Sequence, residues 1–235
     1  MTGALCGGFV SGLAGFGTGI TAIGIWVYAI SPSMAGSLAI ICSVIAQAQT
    51  LPKIWRSIEP RHVLPFIIPG LIGVPLGTVL LDYLDARVLR LAIGVVLLLF
   101  SVVMFLQQSQ TQHRWGGRAA DAVVGFGGGL MGGLIGLSGP LPTLWAGYRG
   151  WNKVESRTLF QAYNTAILLV AMISHAAAGM LTRETAWAVL AALPGTIIGA
   201  QLGTRAYGRV SDQGFKRIIL GMLCLSGASL LWGNL

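Results

Sequence analysis

The residues best placed to do chemistry are glycines and hydroxyl side chains, and they come in two sets. Gly15-Phe16-Gly17-Thr18-Gly19 and Gly136-Leu137-Ser138-Gly139-Pro140 interrupt two apolar stretches at equivalent places about 121 residues apart. A helix that starts after such a break presents unpaired N–H groups and a positive dipole end, which together make an anion site. Thr18 and Ser138 are good N-cap types, and Pro140 suits a first helical turn whose N–H is unpaired anyway. The next apolar segment of each half adds polar partners: Ser43 and Gln47 in the first, Gln161 and Asn164 in the second, with Ser43 aligned to Asn164 at the same offset. The chemistry implied is reversible recognition of a small oxyanion, with Gly15, Gly17, Thr18, Gly19, Gly136, Ser138, Gly139 and Pro140 at its centre.

The same residues admit other readings. His175 is the one candidate for protonation inside an apolar segment, as a proton site or as a hydrogen-bonded packing histidine. Gly136-Leu137-Ser138-Gly139 also fits the Gly-x-Ser-Gly pattern of rhomboid-like intramembrane serine proteases, with His175 as base. That dyad needs Ser138 and His175 within hydrogen-bond reach and gives the first glycine set no role. A non-catalytic scaffold is a third reading and predicts no solute flux. All 7 Asp and Glu lie at or beyond segment ends, so no carboxylate is offered as a mid-membrane proton or sodium carrier. Cys6, Cys42 and Cys224 are scattered, without metal-ligand spacing, and no cofactor motif is present.

These groups must be positioned by elements that live in lipid. Of 235 residues 54% are hydrophobic and 9% charged, and mean hydropathy is +0.76. A soluble domain carries roughly 25% charged residues. Eight apolar segments follow, at 3–30, 34–51, 62–82, 87–107, 119–148, 158–181, 185–206 and 215–233, near the ~20 residues needed to cross a bilayer. The first reads as a membrane segment and not a signal peptide, because it lacks a basic start. The net charge of +8 does not point to nucleic acid, since the basic residues lie at segment ends and face lipid headgroups.

The expected fold is all-α: one polytopic integral membrane domain over 1–235, with a first repeat at 1–106, a linker at 107–118 and a second repeat at 119–235. Gly73-Val74-Pro75-Leu76-Gly77-Thr78 matches Gly199-Ala200-Gln201-Leu202-Gly203-Thr204, and here close helix packing through small residues suffices. If all eight segments cross, the repeats are parallel and the 15 Lys and Arg divide six to nine. If segments one and five are re-entrant hairpins, the repeats are inverted. Twelve of the 15 then share the cytoplasmic face, leaving Arg87, Arg90 and Arg183 opposite. The inverted arrangement is preferred, with both termini outside and a basic rim that includes Arg56, Arg149 and Arg157.

The chain resembles the TauE/SafE-type sulfite and organosulfonate exporters (TSUP). The resemblance covers essentially its whole length and rests on the duplicated glycine segments, on Pro69-Gly70…Gly73…Gly77-Thr78 and Pro194-Gly195…Gly199…Gly203-Thr204, and on the segment count. It implies export of sulfite, a sulfonate or another small anion across a bacterial inner membrane. The expected partners are therefore an anionic substrate and the bilayer. The Gly and Ala content allows close helix contacts within one protomer or between two, leaving the oligomeric state open.

Overall fold

A computed structural model describes residues 1–26, 29–81, 83–85 and 116–211, with isolated positions at 95–102 and 213–221. Apolar segments 87–107 and 215–233, and most of the linker, lie largely outside the described residues. The elements are α1 (Thr2–Ala14), α2 (Thr18–Trp26), α3 (Pro32–Thr50), two single 3-10 turns (Leu51–Lys53 and Trp55–Ser57), α4 (Pro60–Leu81), α5 (Gly117–Ile135), α6 (Pro140–Tyr148), α7 (Lys153–Ala177) and α8 (Arg183–Tyr207). Every regular element among the described residues is helical, and four of them, α3, α4, α7 and α8, are long and apolar enough to cross a membrane. Their starts follow from local chemistry. Ser31 caps α3 ahead of Pro32, Asn152 and Glu155 form a capping box on α7, and the Thr182 hydroxyl accepts from Thr185 N–H at the head of α8.

The two glycine-rich segments do not run through. α1 ends at Gly15 (φ 81°) and α5 at Gly136 (φ 74°), both in the left-handed region that closes a helix at little cost only for glycine. The chain then turns back. A Cβ on Gly3 would lie 2.8 Å from the Trp26 indole nitrogen, so the start of α1 and the end of α2 are neighbours. In the second hairpin the Trp145 indole N–H donates to Asp121 at 2.6 Å, and Arg149 lies 3.4 Å from the same carboxylate. Both segments are helical hairpins.

Each hairpin packs on the other half. α1 lies along α8 and α5 along α4, each pair parallel. A Cβ on Gly73 would sit 2.5 Å from the Phe126 carbonyl oxygen and one on Gly8 2.5 Å from that of Thr196. Gly77, Gly129 and Gly133 in one interface, and Gly12, Gly199 and Gly203 in the other, approach facing backbone as closely. The small-residue packing expected of Gly73/Gly77 and Gly199/Gly203 is therefore present. The glycines of α1 and α5 are its other face, so backbone meets backbone where lipid supplies no hydrophobic drive for association.

α7 ties the hairpins together. The last four carbonyls of a helix have no intrahelical donor. In α1, Gly12 O accepts from the Arg157 guanidinium at 2.8 Å; in α5 the matching Gly133 O accepts from His175 Nε2 at 2.7 Å. Side by side, α3 and α7 bring Ser37 to His175 and Thr50 to Gln161, so these equivalent helices run antiparallel.

Candidate functional site

The two breaks face one another at the centre of this packing. A Cβ on Gly19 would lie 2.8 Å from Gly136 O, and one on Gly139 would collide with the Phe16 ring, 2.8 Å from its Cγ. Phe16 is held by an edge-on contact to Phe160, ring centroids 5.1 Å apart. Between the tips lies a small cavity, with room for about one water molecule, bounded by Ser11, Phe16, Gly17, Gly19, Ser43, Gln47, Gly136, Leu137, Gly139, Asn164 and Leu168.

Seven of the sequence-predicted residues thus line one space: Gly17, Gly19, Ser43, Gln47, Gly136, Gly139 and Asn164. The rest of the central group lies just behind it. Gln47 Nε2 donates to Gly15 O at 2.7 Å, and Gln161 donates to the Thr50 hydroxyl. The Ser138 hydroxyl donates to Asn164 Oδ1, while Asn164 Nδ2 donates to Phe160 O at 2.6 Å. Several buried polar atoms have no partner among the described residues: Ser11 Oγ, Thr18 Oγ1, Gln47 Oε1 and Gln161 Oε1. Buried polar atoms are normally paired. Of the unpaired atoms, Ser11 Oγ and Gln47 Oε1 belong to residues that line the cavity, and the Nε atoms of Arg149 and Arg157 are unpaired as well.

The helix starts differ in what they offer. The ladder of α2 begins with Thr21 N–H to Gly17 O at 3.1 Å, so the amides of Thr18, Gly19 and Ile20 have no helical acceptor. The ladder of α6 begins with Thr143 N–H to Gly139 O, also at 3.1 Å. There Pro140 and Pro142 carry no N–H, which leaves Leu141 as the one amide donor of the first turn. The N-cap roles expected of Thr18 and Ser138 are not found. Gly139 occupies the cap position of α6 with no side-chain cap bond, Ser138 serves Asn164, and the Thr18 hydroxyl is unpaired. Pro140 does sit at the helix start, as its missing N–H favours.

The proposed rim divides. Arg56 is exposed. Arg149 is largely buried against Asp121 and the Trp145 ring. Arg157 is not at a rim: at 4% exposure its guanidinium is tied to Gly12 O and stacked 3.7 Å from the Tyr207 ring centroid. A basic residue one turn into a helix reads as a surface charge, yet here it caps a buried carbonyl. His175 is fully buried between Ser37 (2.9 Å) and Gly133 O (2.7 Å). The carbonyl can only accept, so Nε2 donates; His175 is hydrogen-bonded and does not line the cavity. With Ser138 bonded to Asn164 and His175 bonded to Ser37 and Gly133, the protease dyad is not assembled. Sequence reasoning missed Ser11 and Phe16. Ser11 was legible as the hydroxyl interrupting an apolar run one turn before Gly15.

This architecture can be set beside known proteins. The sulfite exporter TauE/SafE family matches residues 1–230. The chain belongs to the TauE/SafE sulfite exporter family. It is a transporter family, which removes the intramembrane protease and makes this chain a multi-pass membrane transporter rather than an enzyme. A protein of Cupriavidus necator named "Probable sulfite/organosulfonate exporter TauE" is 28% identical over 232 residues, covering 96% of this chain and 90% of that one. No solved structure matches. Among the described residues no group of His, Cys, Asp and Glu could hold a metal ion.

Proposed function

We propose that this chain exports a small sulfur oxyanion, sulfite or an organosulfonate, from the cytoplasm across a bacterial inner membrane, by alternating access around the cavity between the two tips. One observation carries the reading: two helix starts meet at a buried space lined by glycine, hydroxyl and carboxamide groups whose polar atoms are partly unpaired. A helix N-terminus there attracts negative charge, and its contribution, at most about 2 kcal/mol when partly buried, lets the cargo leave. The name of the Cupriavidus relative supplies the substrate class.

The hairpins are read as re-entrant, with the two halves inverted about an axis in the membrane plane. The fold-back of α1 on α2 and of α5 on α6 supports this, as do the antiparallel α3 and α7 and the twelve-to-three division of basic residues. Broken helices at matching places in inverted halves are a recurrent way to build a midplane site. Each hairpin packs on the other half, so rocking moves a tip together with the opposite repeat's α4 or α8. Anion exit is downhill at inside-negative potential, so export needs no coupling carboxylate.

The test is flux from proteoliposomes loaded with sulfite or methanesulfonate under imposed voltage. Saturable, voltage-driven efflux of at least one of them is expected. Efflux no faster than from protein-free vesicles would reject the reading.

A further inference from the structure

The proposed site makes a statement about the charge and protonation of its cargo, and this inference rests on the functional reading above. Among the described residues that line the cavity none is charged. Two helix starts and two helix ends meet here, so their dipole charges of opposite sign largely offset. Among the described residues the one full charge beside the tips is the buried Arg157 guanidinium, which stands behind Gly15 and is tied to Gly12 O. One buried cation balances a monoanion and leaves the second charge of a dianion uncompensated in a site of low polarity, where ions are costly.

The hydrogen-bonding inventory is also asymmetric. On the cavity wall, the unpaired hydroxyl of Ser11 and the amide of Gly19 can donate to anionic oxygens. Gln47 Oε1 cannot donate. Gln47 Nε2 is committed to Gly15 O, which only accepts, so the orientation of the carboxamide is fixed with Oε1 as the unpaired atom. Gln47 is fully buried and lines the cavity. A buried carboxamide oxygen without a donor is unfavourable beside an all-acceptor anion and favourable beside one that brings its own O–H. Behind it, Gln161 Oε1 is unpaired in the same sense.

We infer that the cavity between the tips takes its sulfur cargo as a protonated monoanion, hydrogensulfite in its hydroxyl form, with anionic oxygens toward the Thr18–Gly19 turn and the cargo O–H donated to Gln47 Oε1. The proton travels on the cargo and no side chain has to carry it. Each sulfur exported then removes one negative charge and one proton from the loading side.

The experiment measures efflux from proteoliposomes at fixed total sulfite across the second ionisation of sulfurous acid. Charge moved per sulfur is recorded in parallel, and protein-free vesicles are subtracted. Methanesulfonate, a monoanion without an O–H at every pH used, reports any titration of the protein itself. The expected result is sulfite flux that falls about tenfold for each pH unit above the ionisation, with one charge per sulfur, while methanesulfonate flux stays level. Sulfite flux that is flat or rises with pH, or that carries two charges per sulfur, overturns the inference and leaves the transporter reading intact. Absence of flux for both solutes overturns both. Gln47→Leu gives an independent reading through the KM ratio of the two solutes: a several-fold larger rise for hydrogensulfite is expected, and an equal rise for both contradicts the acceptor role.

Discussion

At the first tip Gly15 and Gly17 both adopt left-handed backbone, and three consecutive amides lack helical acceptors beside an unpaired Thr18 hydroxyl. At the second tip only Gly136 does so; two prolines leave the first turn of α6 with Leu141 as its one amide donor, and Ser138 is tied to Asn164. The two copies therefore match in path and differ in chemistry. One is a donor surface held open, the other a braced wall that brings a dipole end and shape. On the proposed reading, the first start binds while the second positions.

Changes at the tips break or sharpen that contrast. The largest effect is expected of Gly139→Leu, whose side chain must enter the space of the Phe16 ring. Overpacking of this kind costs about 1–3 kcal/mol. Sulfite flux in proteoliposomes should fall about 100-fold, while size-exclusion behaviour in detergent stays that of wild type. Ser138→Ala comes next, because it leaves the buried Asn164 Oδ1 without its donor. A loss of about 1–3 kcal/mol is expected in thermal unfolding, together with roughly tenfold slower flux. Thr18→Val should behave in the opposite way. Its buried hydroxyl has no protein partner, so the substitution should leave thermal stability unchanged or raise it. Its KM should rise several-fold, in line with a lost hydrogen bond of about 0.5–1.5 kcal/mol. Equal destabilisation by Ser138→Ala and Thr18→Val would erase the distinction between wall and donor surface. The smallest change is Pro142→Ala, which returns one amide donor to the second tip; KM is expected to drop about twofold, within the range of one net hydrogen bond.

Much of this was readable from residue types. Glycine density at 15–19 and 136–139 located both breaks, because few other residues tolerate the left-handed closure now seen at Gly15 and Gly136. Segment bounds such as 62–82 and 185–206 fall close to Pro60–Leu81 and Arg183–Tyr207, since length and hydropathy are fixed by the bilayer. What the residues did not disclose depends on contacts distant in the chain. Arg157 looked like an interfacial charge, but its partner, Gly12 O, is 145 residues away. Ser138 had the type of a helix cap, and tertiary packing offered it Asn164 instead. The contacts of His175 with Ser37 and Gly133 O span 138 and 42 residues, so the sequence alone could not show them. The packing of α1 on α8 and of α5 on α4 is likewise invisible in the sequence, because it joins segments far apart in the chain.

The central claim is that cargo and both faces of the membrane meet at the cavity between the tips. Ser43 lines that cavity, so Ser43→Cys, in a background with Cys6, Cys42 and Cys224 replaced by Ala, places a single thiol at the site. Its rate of reaction with a membrane-impermeant anionic thiol reagent, added from each face in turn with and without sulfite, is the most direct measurement. Labelling from both faces, slowed by sulfite in each case, is the result predicted. Labelling confined to one face, or unaffected by sulfite from either, would contradict the account.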